Sequence, residues 1–449
     1  MTDSQILMPN SHSTLDAWLA YWQTIHASAI DMGLERVRPV AAYLDVLHPS
    51  VPVITVAGTN GKGSTTTVIA SIYRASGQRV GLYQSPHILH FNERIRLDGI
   101  PVGDELLIQA FVLVEAARVA CNLTLSFFEA TTLAAFLIFK QQRCDVWVLE
   151  VGLGGRLDVV NLISPNVAVI TNIGIDHVEW LGDNREVIGF EKAGILRSAI
   201  PLVFGDADMP DSVRAHAVSL ACPIYQFGHD YHVGQFAVDG EHVTQSAGVQ
   251  SYYANGAETL ALPVASLAVQ NVATGVTAVL LSGIKINEDQ LNQGIESAKL
   301  SGRFEQYDYQ GHRLIADVAH NPHGVNFLLQ QLADYRKKHV TRHIHAIFSM
   351  LADKDIATVV QMAQGVIDHW HVAVLDVPRA AQHVQLAAAL QDVPAARVTF
   401  YPALEDALDG ASQAVDGDDL MLAWGSFHTL EAIMSVLISA SEEHRTNAG

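Results

Sequence analysis

Short, continuous apolar runs alternate with helix-like patterns along most of the chain. In the first half these runs cover residues 51–57, 145–151, 166–171 and 200–204. None of them alternates polar with apolar positions, which is typical of strands buried on both faces of a parallel sheet. Between the runs, helical periodicity extends over residues 64–76, 103–121 and 129–142. The pattern predicts a βαβ rhythm in which helices connect parallel strands.

The pattern changes in residues 228–263, where Gly, Tyr, Gln and Val form short alternations that predict antiparallel hairpins. Helical periodicity follows in residues 266–281 and 288–298. The βα rhythm then restarts, with predicted strands at residues 313–318, 344–349, 371–377, 398–401 and 419–424. The predicted fold class is therefore α/β. Residues 1–299 should form a mostly parallel sheet with helices on both faces and a small antiparallel subregion, and residues 300–449 a smaller, Rossmann-like α/β domain.

Charge and cysteine content narrow the class of protein. The 449 residues include 27 Lys and Arg against 47 Asp and Glu, a formal net charge of −20, and such a surface repels nucleic acids. Three widely separated cysteines fit a reducing cytoplasm rather than a disulfide framework. The first residues do not resemble a signal peptide, and the longest apolar stretch, residues 133–139, is far below the ~20 residues that span a bilayer. We expect a cytoplasmic protein that binds neither nucleic acid nor membrane.

The clearest local motif, VITVAGTNGKGSTTTVIA at residues 53–70, predicts a phosphate-binding loop. A strand enters a glycine-rich turn, and Lys62, Ser64 and a helix follow. Glycines let backbone N–H groups approach phosphate oxygens, Lys62 can reach the β- and γ-phosphates, and the Ser64 hydroxyl can bind Mg²⁺. The usual GxxxxGK[ST] pattern is not met, because Val56 replaces its first glycine and Gly63 separates Lys62 from Ser64. An ordinary glycine-rich turn is the alternative.

Three further side chains are candidates for the same edge of the sheet. Glu150 ends a predicted strand, where a carboxylate suits Mg²⁺, although a salt bridge is an alternative. His177 follows the next strand, and only this position distinguishes it among 21 histidines. For Lys192, spacing alone favours a lysine with its ammonium in solvent, paired with Glu191 or Asp183.

Taken together, the motifs resemble the Mur ligase superfamily and, within it, the folate-processing ligases. They occur in order over about 400 residues and comprise HASAIDMGLERV, GTNGKGS, SPHILHFNERIRLDG, SFFEATTLAAF, LEVGLGGRLD, ITNIGIDHVEWLG, EKAGI, LSGRFE, DVAHNPHG, MLADKDI and WGSFHTLEAIM. The resemblance implies that ATP phosphorylates an acceptor carboxylate and that the amine of L-glutamate then attacks the acyl phosphate. The acceptors would be dihydropteroate and the γ-carboxylate of reduced folates.

The resemblance also implies roles for individual residues. The positions that match ATP contacts are Thr59, Asn60, Gly61, Lys62, Gly63, Ser64, Asn271, Arg303 and Asp317. Magnesium positions are matched by Ser64, Ser85, Glu150 and His177, and two Mg²⁺ sites are expected. Lys192 matches a lysine that the family carbamylates, which reverses the interpretation from spacing. Lys62, Lys192 and His320 are the expected catalytic residues, and the residues after 300 should close on ATP across an interdomain cleft.

The expected pterin-binding residues come from three segments. They are Ala29, Ile30, Asp31 and Met32, then Ser126, Phe127, Phe128 and Glu129, and finally Leu157, Asp158 and Val159. Phe128 could stack on a pterin ring or simply pack in the core, and Asp158 could accept hydrogen bonds from the ring.

Three other functions stay open at this point. Two alternatives are also Mur-type ligases: one that uses folates alone and one of the peptidoglycan type. The third alternative is a regulatory P-loop ATPase, which would not catalyse ligation. All partners are expected to be small molecules, and the chain is expected to be a monomer.

Overall fold

A computed structural model describes residues 8–26, 33–234, 237–239, 242–244, 250–254, 257–263 and 265–447 of the chain. It divides into two compact units. The N-terminal unit comprises Met1–Pro86 and Asn92–Leu300, and the C-terminal unit comprises His87–Phe91 and Ser301–Gly449. Within the described part of the chain, no helix combines the length and apolar character needed to cross a membrane.

The described part of the N-terminal unit contains thirteen strands and ten α-helices. The strands are β1 Val53–Ala57, β2 Val80–Tyr83, β3 Ile95–Leu97, β4 Ile100–Pro101, β5 Val146–Glu150, β6 Val167–Ile170, β7 Leu202–Phe204, β8 Ile224–Gln226, β9 Tyr231–Gly234, β10 Ala237–Asp239, β11 His242–Thr244, β12 Gln250–Ala254 and β13 Ala257–Leu262. The helices are α1 Leu15–Thr24, α2 Leu34–Tyr43, α3 Lys62–Ala75, α4 Asp104–Ala120, α5 Phe127–Gln141, α6 Val178–Leu181, α7 Arg185–Ala193, α8 Asp211–Ser219, α9 Val269–Leu281 and α10 Glu288–Ser297.

The main sheet of this unit has the strand order β4-β3-β2-β5-β1-β6-β7-β8. Strands β2, β5, β1, β6, β7 and β8 run parallel, and β3 and β4 are antiparallel additions at one edge. Alternate residues of β5 face opposite layers of helices. Val146 and Val148 join a core with α3 and α9, whereas the Trp147 ring stacks on Phe136 of α5, with 5.9 Å between ring centroids. Helices therefore cover both faces, as predicted.

The segments after β8 are antiparallel, which confirms the predicted change of pattern for the residues described there. Strands β13, β12 and β9 form a three-stranded sheet, and β10 pairs with β11. Tyr231 and Tyr252 are buried here and join the core that α3 and α9 share with the main sheet.

The described part of the C-terminal unit contains six strands and five α-helices. The strands are β14 Glu305–Tyr309, β15 His312–Asp317, β16 Ile344–Phe348, β17 His369–Ala373, β18 Val398–Tyr401 and β19 Leu420–Trp424. The helices are α11 Pro322–Lys338, α12 Ile356–Ala363, α13 His383–Ala389, α14 Leu404–Ala414 and α15 Phe427–Asn447. The sheet order is β14-β15-β19-β16-β17-β18, and only β14 is antiparallel.

The α/β fold class is confirmed, but several strands differ from the sequence prediction. The strand predicted at residues 371–377 lies at His369–Ala373. Strands β2, β3, β4, β8 and β14 were not predicted. These strands are short or contain Gly or charged residues. Their apolar runs are therefore too short to be recognised from the hydrophobic pattern.

A row of polar side chains crosses the C-terminal sheet. His345 on β16 and His371 on β17 are buried, and His345 Nδ1 lies 3.2 Å from His371 Nε2. His371 Nδ1 lies 3.0 Å from the Tyr401 hydroxyl, and His345 Nε2 lies 3.8 Å from Asp419 Oδ2. Burial, followed by the neighbouring His369, lowers the pKa of His345 to about 4, and burial followed by His345 does the same for His371.

The lowered pKa values of His345 and His371 predict that acid destabilises the C-terminal unit. Their pKa values are about 4 in the fold and near 6.5 when unfolded, so the fold must keep them neutral. This contribution is complete above pH 6.5 and is lost as pH falls toward 4, by about 1.4 kcal/mol per pH unit for each proton taken up. Urea unfolding at a series of pH values should show this slope. It should flatten in the His345→Gln/His371→Gln double variant and persist in the exposed control His383→Gln. An unchanged slope in the double variant would contradict the assignment.

Candidate active site

The predicted phosphate loop lies between β1 and α3 and requires glycine at two positions. Gly58 has φ +149° and Gly61 has φ +82°. A Cβ on Gly58 would lie 1.8 Å from Thr171 Oγ1, and one on Gly61 would lie 2.5 Å from Asn271 Oδ1. The backbone therefore approaches its neighbours more closely than any side chain permits. The Asn271 amide, predicted to contact ATP, lies against the loop.

Side chains and backbone at the end of β6 hold one side of the loop. Thr59 N donates to Asn172 O at 3.1 Å, and Asn60 N donates to Asn172 Oδ1 at 3.0 Å. The Thr171 hydroxyl donates to Asn60 O at 2.6 Å. The amides of Thr59 and Asn60 are thus engaged within the protein and hold the loop against the end of β6. The amides that lack an intrahelical acceptor belong to the first turn of α3, beginning at Lys62.

Two lysines converge on one carbonyl of the loop. Lys62 Nζ donates to Gly58 O at 3.1 Å and to Thr59 O at 3.3 Å, and Lys192 Nζ donates to Gly58 O at 2.9 Å. Lys192 is buried, which contradicts the interpretation as a lysine with a solvent-exposed ammonium. Its supposed partner Glu191 forms an ion pair with Arg156 instead, at 2.8 Å.

The electrostatic environment of Lys192 favours its neutral amine. Burial and then the charge of Lys62 lower its pKa to about 7, although Asp176 and Asp158 act in the opposite direction. A lysine with this pKa is partly uncharged near neutral pH, which makes it a nucleophile.

A concavity opens beside the loop. Its walls include Thr59, Lys62, Asp176, His177 and Lys192, and residues 151–154. Four residues that the sequence analysis assigned to the site therefore share one cavity. Asn172 and Asp176 were missed, although both are polar residues that follow a buried strand.

The predicted metal ligands come from separate elements of the N-terminal unit. Glu150 ends β5 beside β1, and its Oε2 lies 3.6 Å from the position a Cβ on Gly63 would take. Ser64 is buried in the first turn of α3, and Ser85 is partly buried just after β2. His177 is exposed on the cavity wall and has φ +53°. Hydroxyl and carboxylate oxygens suit Mg²⁺.

These donors do not form a complete metal site by themselves. In the described ranges, no three His, Cys, Asp or Glu side chains are arranged to hold a metal ion. Mg²⁺ commonly takes one or two carboxylates and completes its octahedron with substrate phosphates and water. The residues present fit a metal that binds together with a nucleotide.

Asp158 organises the loop that follows β5. Its Oδ2 accepts from Leu153 N and its Oδ1 from Val160 N, both at 2.9 Å, and it caps a 3₁₀ turn at Val159–Leu162. Burial raises the pKa of Asp158 to about 6, against the lowering effect of these backbone bonds and of Lys62. Both oxygens are engaged by backbone N–H groups, and the backbone of Gly152 also bonds to this carboxylate. Leu157 is partly buried and Val159 is buried.

In the segment at residues 126–129, two side chains cap helix α5 and the other two remain partly exposed. Ser126 and Glu129 form the capping box of α5, which occupies their polar atoms. Phe127 and Phe128 are only partly buried, and the Phe128 ring lies 6.1 Å from that of Tyr83. A Cβ on Gly152 would lie 2.4 Å from Phe128 Cζ. Phe128 thus contacts the loop that Asp158 holds. The predicted pterin contacts at residues 29–32 lie outside the described residues.

Two of the three predicted residues of the C-terminal unit, Arg303 and His320, lie against one aromatic ring, and Asp317 interacts with the charge of Arg303. Asp317 is buried, and its carboxylate accepts from Phe304 N at 2.9 Å and from Ala319 N at 2.8 Å. Burial raises its pKa, and the charge of Arg303 opposes this shift. The guanidinium of Arg303 lies 5.5 Å from the centroid of Phe427, and the His320 ring lies 6.1 Å from it. Phe427 was not predicted as a site residue.

Family comparisons agree with this architecture. Residues 56–279 match the Mur ligase middle domain, and residues 302–427 match the Mur ligase glutamate ligase domain. The chain belongs to the Mur ligase family.

Curated relatives narrow this assignment. The dihydrofolate synthase/folylpolyglutamate synthase of Escherichia coli (strain K12) is 38% identical over 429 residues, which are 96% of this chain and 97% of the relative. The enzyme of the same name from Haemophilus influenzae is 35% identical over 441 residues, 95% of this chain and 98% of the relative. The resemblance found in the motifs is confirmed, and within the family the chain groups with these bifunctional synthases.

Solved structures show the same fold. FolC of E. coli in complex with DHPP and ADP has a TM-score of 0.89 at 36% identity, covering 97% of this chain and 100% of that one. The bifunctional folylpolyglutamate synthase/dihydrofolate synthase of Yersinia pestis, complexed with AMPPNP and Mn ion, has a TM-score of 0.87 at 38% identity, covering 96% and 100%.

The loop geometry predicts that Lys62→Ala removes activity and leaves the fold intact. Lys62 is half-buried and donates only to loop carbonyls, so its loss opens no core cavity. Turnover at saturating ATP should fall by about 100- to 1,000-fold, the effect of removing one preorganised donor from a developing charge. The exposed Lys285→Ala is the matched control and should behave like the wild type. Near-normal turnover of Lys62→Ala, with unchanged thermal unfolding, would show that the loop assignment is wrong.

Proposed function

We propose that this chain is an ATP-dependent ligase that joins L-glutamate to dihydropteroate and to the γ-carboxylate of reduced folates. The observation that carries the proposal is the cavity in which a phosphate loop meets Lys62, Lys192 and His177. Relatives named for both activities extend over nearly the whole chain. The substrates are small molecules, and we infer that the enzyme acts as a monomer without nucleic-acid or membrane partners.

The first step is phosphoryl transfer to the acceptor. A carboxylate oxygen of the acceptor attacks the γ-phosphorus of ATP, the bond to the β–γ bridging oxygen breaks, and ADP leaves. Lys62 and the first-turn amides of α3 hold the transferring group and neutralise its charge. The product is an acyl phosphate, in which phosphate becomes the leaving group.

The second step forms the amide. The amine of L-glutamate attacks the acyl carbon, a tetrahedral intermediate collapses, and inorganic phosphate departs with the bonding electron pair while the amine loses a proton. Positioning and charge neutralisation carry this reaction, so no protein nucleophile is needed. We assign Asn271, Arg303 and Asp317 to ATP and His320 to catalysis on the strength of the family motifs.

Magnesium is proposed at two positions. Ser64, Ser85, Glu150 and His177 would hold it, and the ion would neutralise the phosphates of the nucleotide. A carbamate on Lys192 would supply a further oxygen ligand. The neutral amine attacks CO₂, an N–C bond forms, and one proton leaves to solvent. Burial next to Lys62 supports this reaction, because it lowers the pKa of Lys192 to about 7.

A cytoplasmic location is proposed from the cysteines. All three, Cys121, Cys144 and Cys222, are free thiols in the structure. A reducing compartment keeps thiols in this state.

The function is tested by coupling phosphate release to product analysis. Dihydropteroate and tetrahydrofolate are offered separately, with and without L-glutamate. We expect release that depends on both glutamate and an acceptor, and a glutamylated product from each acceptor. Release without either would indicate a regulatory ATPase, and a product from tetrahydrofolate alone would indicate a ligase that uses only folates.

Carbamylation predicts that Lys192→Ala is nearly inactive and that short carboxylic acids at millimolar concentration partly restore it. The added acid would supply the oxygen that the carbamate provides. Lys192→Arg keeps the positive charge but cannot form a carbamate, so it should stay inactive. Initial rates with and without acetate measure the effect. Wild-type rates in Lys192→Arg would show that only the cation is needed.

The two acceptors should differ in their dependence on Asp158. Dihydropteroate carries its carboxylate on the benzoate ring, whereas a folate presents a γ-carboxylate several atoms further out. One phosphate site cannot serve both with the pterin in the same place. Asp158→Ala should therefore lower kcat/KM for dihydropteroate by about 10- to 1,000-fold, the range for one or two hydrogen bonds from a buried carboxylate. The loss with tetrahydrofolate should be much smaller. Equal losses would show that Asp158 acts on the common machinery.

A further inference from the structure

Gln84 is a buried amide that none of the recognised motifs explains. It follows β2, is only 5% exposed, and its backbone N donates to Arg94 O at 2.9 Å. The side-chain Nε2 lies 2.9 Å from Gly63 O, 2.8 Å from Thr66 Oγ1 and 3.0 Å from Thr67 Oγ1. All three acceptors belong to the first turns of α3. The side chain therefore joins the end of a strand to the start of the helix that follows the phosphate loop.

The proposed metal ligands do not share one rigid element. Ser85 and Glu150 are fixed by the sheet, because β2 and β5 are neighbouring parallel strands with Tyr83 paired to Leu149. Ser64 lies on α3, which follows β1 through the glycine-rich loop. Its distance to the two sheet-borne donors depends on what holds the first turn of α3. Ligand affinity for a metal is sensitive to such supporting contacts.

The contacts of Gly63 show how that turn is held. A Cβ there would lie 3.8 Å from Gln84 Nε2 and 3.6 Å from Glu150 Oε2. Thr66 Oγ1 donates to Lys62 O and Gly63 O, both at 3.0 Å, so its lone pairs are available to accept from Gln84. The turn that carries Ser64 is thus placed between a fixed amide and a proposed metal ligand.

We propose that Gln84 is a positioning residue that sets the distance from the Ser64 hydroxyl to Ser85 and Glu150 and thereby tunes affinity for the divalent metal of the nucleotide complex. This inference rests on the proposed function, since it concerns the same site. Gln84 contacts α3 at the Gly63 carbonyl and at the hydroxyls of Thr66 and Thr67. It acts through the Gly63 carbonyl.

The test separates metal affinity from stability. Gln84→Met keeps the length of the side chain and removes the donor. Calorimetric titration of AMPPNP is carried out at a series of Mg²⁺ concentrations and in EDTA, without folate or glutamate. We expect the Mg²⁺ midpoint to rise by about 10- to 100-fold, the usual effect of losing a contact that supports a metal ligand. The affinity for AMPPNP in EDTA, which depends on the first-turn amides of α3 but not on the metal, should fall by much less than the Mg²⁺ midpoint rises.

A matched variant distinguishes positioning from packing. Thr67→Val removes another acceptor of Gln84 and leaves the bond to Gly63 O in place, so its Mg²⁺ midpoint should stay near wild type. Gln84→Asn keeps the amide but is too short to reach Gly63, so it should repeat the shift even if the Met variant fails to fold. A wild-type midpoint in both Gln84 variants, or an equal shift in Thr67→Val, would overturn the inference. Failure of the wild-type chain to bind Mg²⁺ with AMPPNP would instead overturn the proposed function.

Discussion

The site depends on the parallel arrangement of four adjacent strands. Because β2, β5, β1 and β6 lie side by side in one direction, their carboxyl ends meet at a single edge of the sheet. The phosphate loop leaves β1, Glu150 ends β5, Ser85 follows β2, and Asn172 and His177 follow β6. Residues separated by more than one hundred positions are brought together by strand order alone. The loops need no regular structure of their own, since the strands position both ends.

A second constraint is electrostatic. Lys62 and Lys192 donate to the same carbonyl, that of Gly58, at 3.1 and 2.9 Å. Two cations so close, one of them buried, repel each other unless an anion is present or one of them is neutral. Burial lowers the pKa of Lys192 most, and the charge of Lys62 lowers it further. A phosphate would resolve it by binding both lysines, and a carbamate would resolve it by reversing the charge of Lys192. The two neighbouring lysines thus favour both the binding of a phosphate and the formation of a carbamate on Lys192.

Features that depend on residues close together in the sequence could be predicted, whereas features that depend on contacts between distant residues could not. Continuous apolar runs identified β1, β5 and β6 but not β2, and the order of strand, glycines and Lys62 identified the loop. The environment of Lys192 could not be predicted, because its acceptor Gly58 lies far away in the chain and local spacing suggested Glu191. Glu129 lay within a recognised motif, yet its carboxylate caps α5. Short polar strands such as β14 were not predicted because they are stabilised by hydrogen bonding to a neighbouring strand rather than by an apolar composition.

The central claim is that this edge activates a carboxylate with the γ-phosphate of ATP. Dihydropteroate labelled with ¹⁸O in its benzoate carboxylate tests it most directly. The labelled acceptor is incubated with the wild-type chain, MgATP and L-glutamate, and the released inorganic phosphate is examined by mass spectrometry. Because an acyl phosphate passes one carboxylate oxygen to the phosphate when the amine displaces it, the released phosphate should carry ¹⁸O. Glutamylated product accompanied by phosphate without the label would contradict it.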